Sequence, residues 1–348
     1  MVTDIRKISG NITAEEKIAL KTAAEHIRNG ELVVFPTETV YGLGGNGLDE
    51  TAAAKIYAAK GRPSDNPLIL HIAYPEEANR VAFVSPLYER LADRFMPGPL
   101  TVVMPARPCV PRTVTAGLST VAVRCPADPV AHAFLSETGV PVAAPSANIS
   151  GSPSPTCFFH VYEDMNGRVA MMLDGGDSEF GLESTIVKIE DDGSLTLLRP
   201  GAITPEELRE VAPLRIADAV LGALKEGETV LSPGMKYRHY APKTKTVLLD
   251  GDAEKACLYI KKENKKAAIL CYDEDADTFT REIPDAFVIR FGKRADEKTQ
   301  AHKLFYLLRE ADKLSVDTIY APLPTPKGMG MALYNRMIRA AAHTIVKL

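Results

Sequence analysis

The sequence predicts a two-domain α/β protein: a larger N-terminal domain that carries the chemistry, and a small doubly wound domain at the C-terminal end. Three observations carry that expectation. The chain has 348 residues, and single cores rarely grow past about 250–300 residues. Short apolar runs of β-forming residues alternate with helical patterns, most regularly after Pro242. Between those regions the periodicity weakens from about Leu214 to Thr229, and a proline-bounded stretch follows.

Composition narrows the class. Apolar content of 45% and charged content of 25% are ordinary for a globular protein. With a net charge of −4, any polyanion site must be a local cluster of cations. The five cysteines (Cys109, Cys125, Cys157, Cys257 and Cys271) are odd in number and contain no CxxC pair. That argues against a disulfide framework and a structural zinc site, and for buried thiols in a reducing cytosol. No apolar run approaches the roughly 20 residues of a membrane helix, and Met1 to Arg6 does not open a signal peptide. The expectation is a cytoplasmic protein without a membrane partner.

The elements follow in order. Residues 14–29 form an amphipathic helix, with Thr13 and Glu16 as a capping box and Gly30 as its stop. His26 within it reads as structural. A buried strand at 32–35 breaks at Pro36 into the hydroxyl-rich Thr37-Glu38-Thr39 turn. Gly42 to Gly47 formally matches GxGxxG, but the polar segment 36–41 separates it from the strand. No acid ends the following strand either, so a dinucleotide oxidoreductase is disfavoured. A helix over 49–59 delivers Lys60. In Lys60-Gly61-Arg62, two cations flank a glycine and can close on phosphate oxygens from two sides; they can equally cap the helix C-terminus. The strand 68–72 carries His71 near its end.

A helix over 86–94 leads through Met96-Pro97-Gly98-Pro99 into a strand at 101–104. Alternating apolar residues make 120–124 a strand ending on Arg124, a position where an arginine is usually solvated. Residues 140–156 run from a small-residue strand into Pro145-Ser146-Ala147-Asn148-Ile149-Ser150-Gly151-Ser152-Pro153-Ser154-Pro155-Thr156. This loop of neutral donors suits a phosphate or a small polar ligand. Gly181 to Val187 turns into a strand, another strand ends on Arg199, and Thr204-Pro205-Glu206-Glu207 starts a short helix. Met235-Lys236-Tyr237-Arg238-His239-Tyr240 is too rich in aromatics and cations for an ordinary linker, so it reads as a binding segment. Strands at 246–249, 267–270, 287–289 and 318–320 alternate with helices at 252–264, 296–313 and 331–345, a Rossmann-like arrangement without a phosphate loop of its own.

Thr37-Glu38-Thr39-Val40-Tyr41-Gly42-Leu43-Gly44, with Lys-Gly-Arg-Pro-x-x-Asn-Pro-Leu-x-x-His over 60–71, resembles the signature of the YrdC/Sua5 family. The Ser-Ala-Asn-x-Ser-Gly-x-x-Ser-Pro-Thr run at 146–156 fits the same family, and segment 231–242 resembles the linker of its Sua5-type members. One departure is Lys188, where the family often has aspartate or asparagine. The resemblance implies a YrdC-like twisted mixed-sheet catalytic domain over 1–212, a linker or lid over 213–242, and a Sua5 C-terminal domain over 243–348.

It also implies an activity: threonylcarbamoyl-adenylate made from L-threonine, bicarbonate and ATP, with release of pyrophosphate, for the t6A modification of ANN-decoding tRNAs. By residue-for-residue match, Thr39, His71, Arg124, Ala144 and Ser184 would hold threonine. Arg62, Asn66, Thr120, Ser146, Asn148, Ser154, Arg199, Tyr237 and His239 would hold ATP, and Lys60 and Arg62 would act at the phosphates. Mg2+ is expected on the triphosphate and no protein metal site is expected. Threonylcarbamoyl-transfer proteins would act downstream; tRNA itself is a possible partner that nothing in the sequence makes evident. The absence of a Ser-His-Asp set, a nucleophile elbow or HExxH agrees with chemistry that needs no enzyme nucleophile. An RNA-binding or ribosome-associated module of the same fold is the alternative, disfavoured by the acidic balance and the missing basic-aromatic stripe.

Overall fold

The computed structural model describes residues 2–222 and 239–348. They divide into two compact units, one of residues 2–150 and 154–222, the other of 151–153 and 239–348. Leu214–Ile216 is a strand of the first unit's sheet, so the chain leaves that sheet later than the expected boundary at residue 212. Tyr237 and most of the expected linker lie outside the described residues.

The first unit runs β1 (Asp4–Lys7), α1 (Ala14–Arg28), β2 (Val33–Phe35), β3 (Gly42–Asn46), α2 (Glu50–Lys60), β4 (Ile69–His71), α3 (Pro86–Phe95), β5 (Leu100–Pro105), α4 (Arg112–Thr115), β6 (Thr120–Arg124), α5 (Pro129–Thr138), β7 (Val142–Ala143), α6 (Phe158–Met165), β8 (Met171–Asp174), β9 (Thr185–Ile189), β10 (Leu195–Arg199), α7 (Pro205–Arg209) and β11 (Leu214–Ile216). Among the described residues these strands form one mixed sheet in the order β1-β8-β2-β3-β7-β4-β6-β5-β9-β10-β11. The capping box expected at Thr13 and Glu16 is present, and His26 in α1 pairs with Glu31. Leu20, Ala23 and Ile27 of α1 and Ala131, Phe134 and Leu135 of α5 bury against Val33, Phe35, Met171 and Leu173 of the sheet.

The glycine-rich run at 42–47 is largely a strand rather than a phosphate loop. β3 pairs antiparallel with β2 and with β7. At Gly44 a Cβ would stand 2.9 Å from Val142 Cγ1 and 3.2 Å from the Val33 carbonyl oxygen, so the missing side chain lets three strands pack closely. Helices α5 and α6 went unread in the sequence, where short apolar runs lack the length to separate helix from strand.

The second unit runs β12 (Lys245–Asp250), α8 (Ala253–Glu263), β13 (Ala267–Tyr272), α9 (Ala276–Glu282), β14 (Phe287–Gly292), α10 (Glu297–Asp312), β15 (Thr318–Pro322), α11 (Gly330–Ala340) and β16 (Ile345–Lys347). Its sheet, ordered β14-β13-β15-β12-β16, is parallel at every pairing. The first two connections step one way across the sheet and the last two step back. Right-handed crossovers then put α8 and α9 on one face and α10 and α11 on the other; α8 and α9 share one apolar cluster. The last helix stops at Ala340, short of the expected 345. Ala342 and His343 take positive φ of 46° and 60°, which ends the helix and frees 345–347 to pair with β12.

All five cysteines are free thiols. Cys125, Cys257 and Cys271 are buried as expected, whereas Cys109 is exposed and Cys157 partly so, because Cys109 sits in a surface turn after β5. Among the described residues no helix is long and apolar enough to cross a membrane.

Candidate active site

Strand register assembles the first half of the site. His71 of β4 is the parallel partner of Arg124 in β6, and Arg124 is opposite Thr101 of β5. The Thr101 and Ser184 hydroxyls hydrogen-bond at 2.7 Å just before β9. Arg199, at the end of β10, donates from Nε to the Ser184 carbonyl at 2.9 Å and from Nη2 to Ser184 Oγ at 3.0 Å. The Ala144 amide donates to the Ile69 carbonyl at 2.9 Å. His71, Arg124, Ser184, Arg199 and Ala144 thus meet over adjoining strand ends, all buried.

His71 is fully enclosed, and its pKa is pushed down to about 3, first by burial and then by the nearby Arg124 guanidinium. Its Nδ1 lies 3.2 Å from the Ile69 carbonyl oxygen. A carbonyl can only accept, so Nδ1 carries the proton and Nε2 presents a lone pair. The ring meets Phe35 edge-on at 5.9 Å.

The Thr37 to Val40 turn is held by one hydroxyl. Thr37 Oγ1 donates to the Val40 carbonyl at 2.7 Å and accepts the amides of Thr39 and Val40 at 3.2 Å; it also bonds Thr39 Oγ1 at 2.9 Å. Between the threonines, Glu38 reaches Arg124 Nη2 at 2.8 Å.

The second half of the site is built on the turn after α2. Lys60 is 2% exposed, and its ammonium donates to the carbonyls of Ser146 and Asn148 at 2.7 Å each and to Asn148 Oδ1 at 3.0 Å. Its own carbonyl accepts the Ser150 amide at 2.9 Å. The same ammonium thereby shapes the 146–150 loop, where Ser146 Oγ and Asn148 Oδ1 bond at 2.6 Å. Arg62 is buried and donates to the carbonyls of Asn66 at 3.3 Å and Pro67 at 3.1 Å. Asn66, 0% exposed, has no hydrogen-bond partner for either side-chain atom among the described residues. Ser154 Oγ bonds Glu183 Oε1, next in sequence to Ser184, and Thr120 opens β6 partly exposed. Backbone bonds zip the two halves together: Leu43 N–H to Pro145 O, Ala147 N–H to Tyr41 O and Tyr41 N–H to Pro155 O.

Of the residues expected from sequence, His71, Arg124, Ala144, Ser184 and Arg199 converge through the strand ends, and Thr39 follows Glu38, the residue paired with Arg124. Lys60, Ser146 and Asn148 form one loop network, and Arg62 and Asn66 form a second. Ser154 joins through Glu183. His239 belongs to the second unit, its ring centroid 5.6 Å from that of Tyr240, and Tyr237 is outside the described residues. Sequence reasoning passed over Glu38, Thr101 and Glu183. Glu38 had a usable signal, a carboxylate inside an otherwise neutral motif between buried strands. Among the described residues no group of three or more His, Cys, Asp or Glu side chains could hold a metal ion.

Comparison with known proteins adds the following. Residues 25–201 match the family model described as Telomere recombination, which spans Sua5, YciO and YrdC. Residues 203–342 match the one described as Threonylcarbamoyl-AMP synthase, C-terminal domain. The chain is 43% identical over 345 residues to a protein of Pyrococcus abyssi (strain GE5 / Orsay) named threonylcarbamoyl-AMP synthase, covering 96% of this chain and 97% of that one. A Bacillus subtilis (strain 168) protein of the same name is 41% identical over 93% of each chain. The crystal structure of P. abyssi Sua5 complexed with L-threonine is similar with a TM-score of 0.88 at 41% identity, over 99% of this chain and 100% of that one.

Proposed function

The chain belongs to the YrdC/Sua5 family in its two-domain, Sua5-type form, and on that premise we propose that it is a threonylcarbamoyl-AMP synthase. It joins L-threonine, bicarbonate and ATP into L-threonylcarbamoyl-AMP and releases pyrophosphate. The observation that carries this reading is the pairing of a neutral, buried histidine with a buried arginine on neighbouring strands. One offers a lone pair to a hydroxyl or amine proton, the other a planar fork to a carboxylate.

Threonine sits among Thr39, His71, Arg124, Ser184 and the Ala144 backbone. Its amine and bicarbonate give N-carboxy-threonine and water, and the new carboxylate attacks the α-phosphorus of ATP. No enzyme nucleophile is required; the protein orients the reactants and stabilises charge. Arg62 and Arg199 face the developing phosphate charge. Asn66, Thr120, Ser146, Asn148 and Ser154 supply neutral bonds to the nucleotide. The cationic and neutral donor set suits the triphosphate rather than a resident ion, so Mg2+ enters as the counter-ion of ATP and no step is assigned to it. The product is a labile mixed anhydride. A cytoplasmic threonylcarbamoyl-transfer protein acting on tRNA consumes it.

The test is pyrophosphate release by the purified full-length chain. Release that requires both L-threonine and bicarbonate supports the reading; release indifferent to either removes it.

A further inference from the structure

Glu38 and Arg124 form a buried ion pair that is incompletely satisfied. Each residue is 4% exposed. Arg124 Nη2 lies 2.8 Å from Glu38 Oε1, yet no N–H points along that line. Arg124 Nε and Nη2 and both Glu38 carboxylate oxygens lack a well-aligned hydrogen bond among the described residues. Buried polar atoms are almost always bonded, and a half-satisfied charged pair at low dielectric is costly to hold. The turn cannot relax to correct it, because Thr37 Oγ1 ties its backbone and the Glu38 carbonyl accepts the Phe180 amide at 2.8 Å.

What the pair lacks is complementary to what an α-amino acid brings. A carboxylate would fill the open edge of the Arg124 fork, and an ammonium would fill the free lone pairs of Glu38. The other nearby groups are less suited to an ammonium. Arg124 repels it, and His71 offers a single neutral lone pair. Asp128 already accepts the Ala131 amide at 2.8 Å as the cap of α5. We propose that Glu38 receives the α-ammonium group of the substrate, so that Glu38 and Arg124 together recognise a zwitterion. This rests on the reading of the site as threonine's and names the group that selects the free amino acid. Before it can attack bicarbonate the ammonium releases one proton to solvent. The carboxylated nitrogen carries no positive charge, water has left, and the still-ionised Glu38 repels the new carboxylate toward the nucleotide.

The test compares L-threonine with (R)-3-hydroxybutanoate, which is threonine without its amino group, by calorimetry on the full chain. The wild-type protein is expected to bind threonine at least about tenfold more tightly, the least expected of a charge-assisted bond to a buried carboxylate. Glu38→Gln should lose most of that preference: threonine weakens about tenfold or more, while 3-hydroxybutanoate and ATP change by less than about threefold. Equal losses for both acids would mean that Glu38 only orients Arg124, and unchanged threonine affinity would mean no role; either result overturns the proposal. A thermal melt accompanies the variant. Should Glu38→Gln fail to fold, the wild-type comparison decides alone, equal affinities being the overturning result. Wild-type protein that binds no threonine at all defeats the site's reading, and the inference with it.

Discussion

His71 and Arg124 are Cα partners on parallel strands β4 and β6, and the ring stays neutral through burial first and the guanidinium second. Such a histidine couples stability to pH. Between about pH 6.5 and pH 3 the unfolded chain takes up a proton at this residue that the folded protein refuses, so acid favours unfolding in that window. The penalty is absent above pH 7 and grows by about 1.4 kcal/mol per pH unit at most. His71→Gln should therefore lose less stability than wild type between pH 7 and pH 4. Denaturant titrations at both values check this, and parallel losses would contradict a neutral buried imidazole.

Lys60 and Arg62 should separate in their effects. Lys60→Met leaves the Ser146 and Asn148 carbonyls without their buried donor, which costs on the order of 1–3 kcal/mol per unsatisfied group. It should lower the melting temperature and speed amide exchange at Ser150, whose N–H bonds the Lys60 carbonyl.

Arg62→Ala should abolish most pyrophosphate release. An exposed turn cation would leave stability untouched, but Arg62 is buried on the Asn66 and Pro67 carbonyls, so a loss of roughly 1–3 kcal/mol should accompany it. Near-normal turnover in a folded variant would remove Arg62 from the phosphate site.

Arg124→Lys replaces a planar fork by a point charge while keeping a cation beside Glu38. Threonine binding should fall about tenfold or more, with ATP binding changed by less than about threefold. Arg124→Ala strands a buried carboxylate and should cost about 3–5 kcal/mol of stability. Calorimetry and melts on both variants test this; equal losses of threonine and ATP affinity in the lysine variant would refute the assignment.

Gly201→Ala tests the floor of the site. A Cβ there would lie 2.4 Å from the Thr185 amide nitrogen and 2.8 Å from the Glu183 carbonyl oxygen. The backbone that presents Ser184 must then move, at about 1–3 kcal/mol. Threonine affinity should fall with stability, although residue 201 carries no functional group. A variant with native melting and native affinity would show that this backbone is free to shift.

Local chemistry made much of this molecule legible in the sequence. The capping box at Thr13 and Glu16, the parallel strands after Pro242, and the motif residues at 37–44, 60–71 and 146–156 all depend on neighbours within a few positions. What tertiary structure decided depends on strands far apart in the chain. Register alone sets His71 beside Arg124, and Ser184 meets Thr101 and Arg199 only because β9 lies between β5 and β10. The glycines at 42–47 matched GxGxxG in a context that disfavoured a dinucleotide loop, and pairing with β2 and β7 made most of that run a strand. Lys60 read from its neighbours as a cation beside Arg62, and only a loop some 86 residues away shows which carbonyls its ammonium holds. Glu38 stood in plain view within the motif, but its chemistry appears only when β6 buries an arginine against it, because burial is what gives an unfilled hydrogen bond its cost.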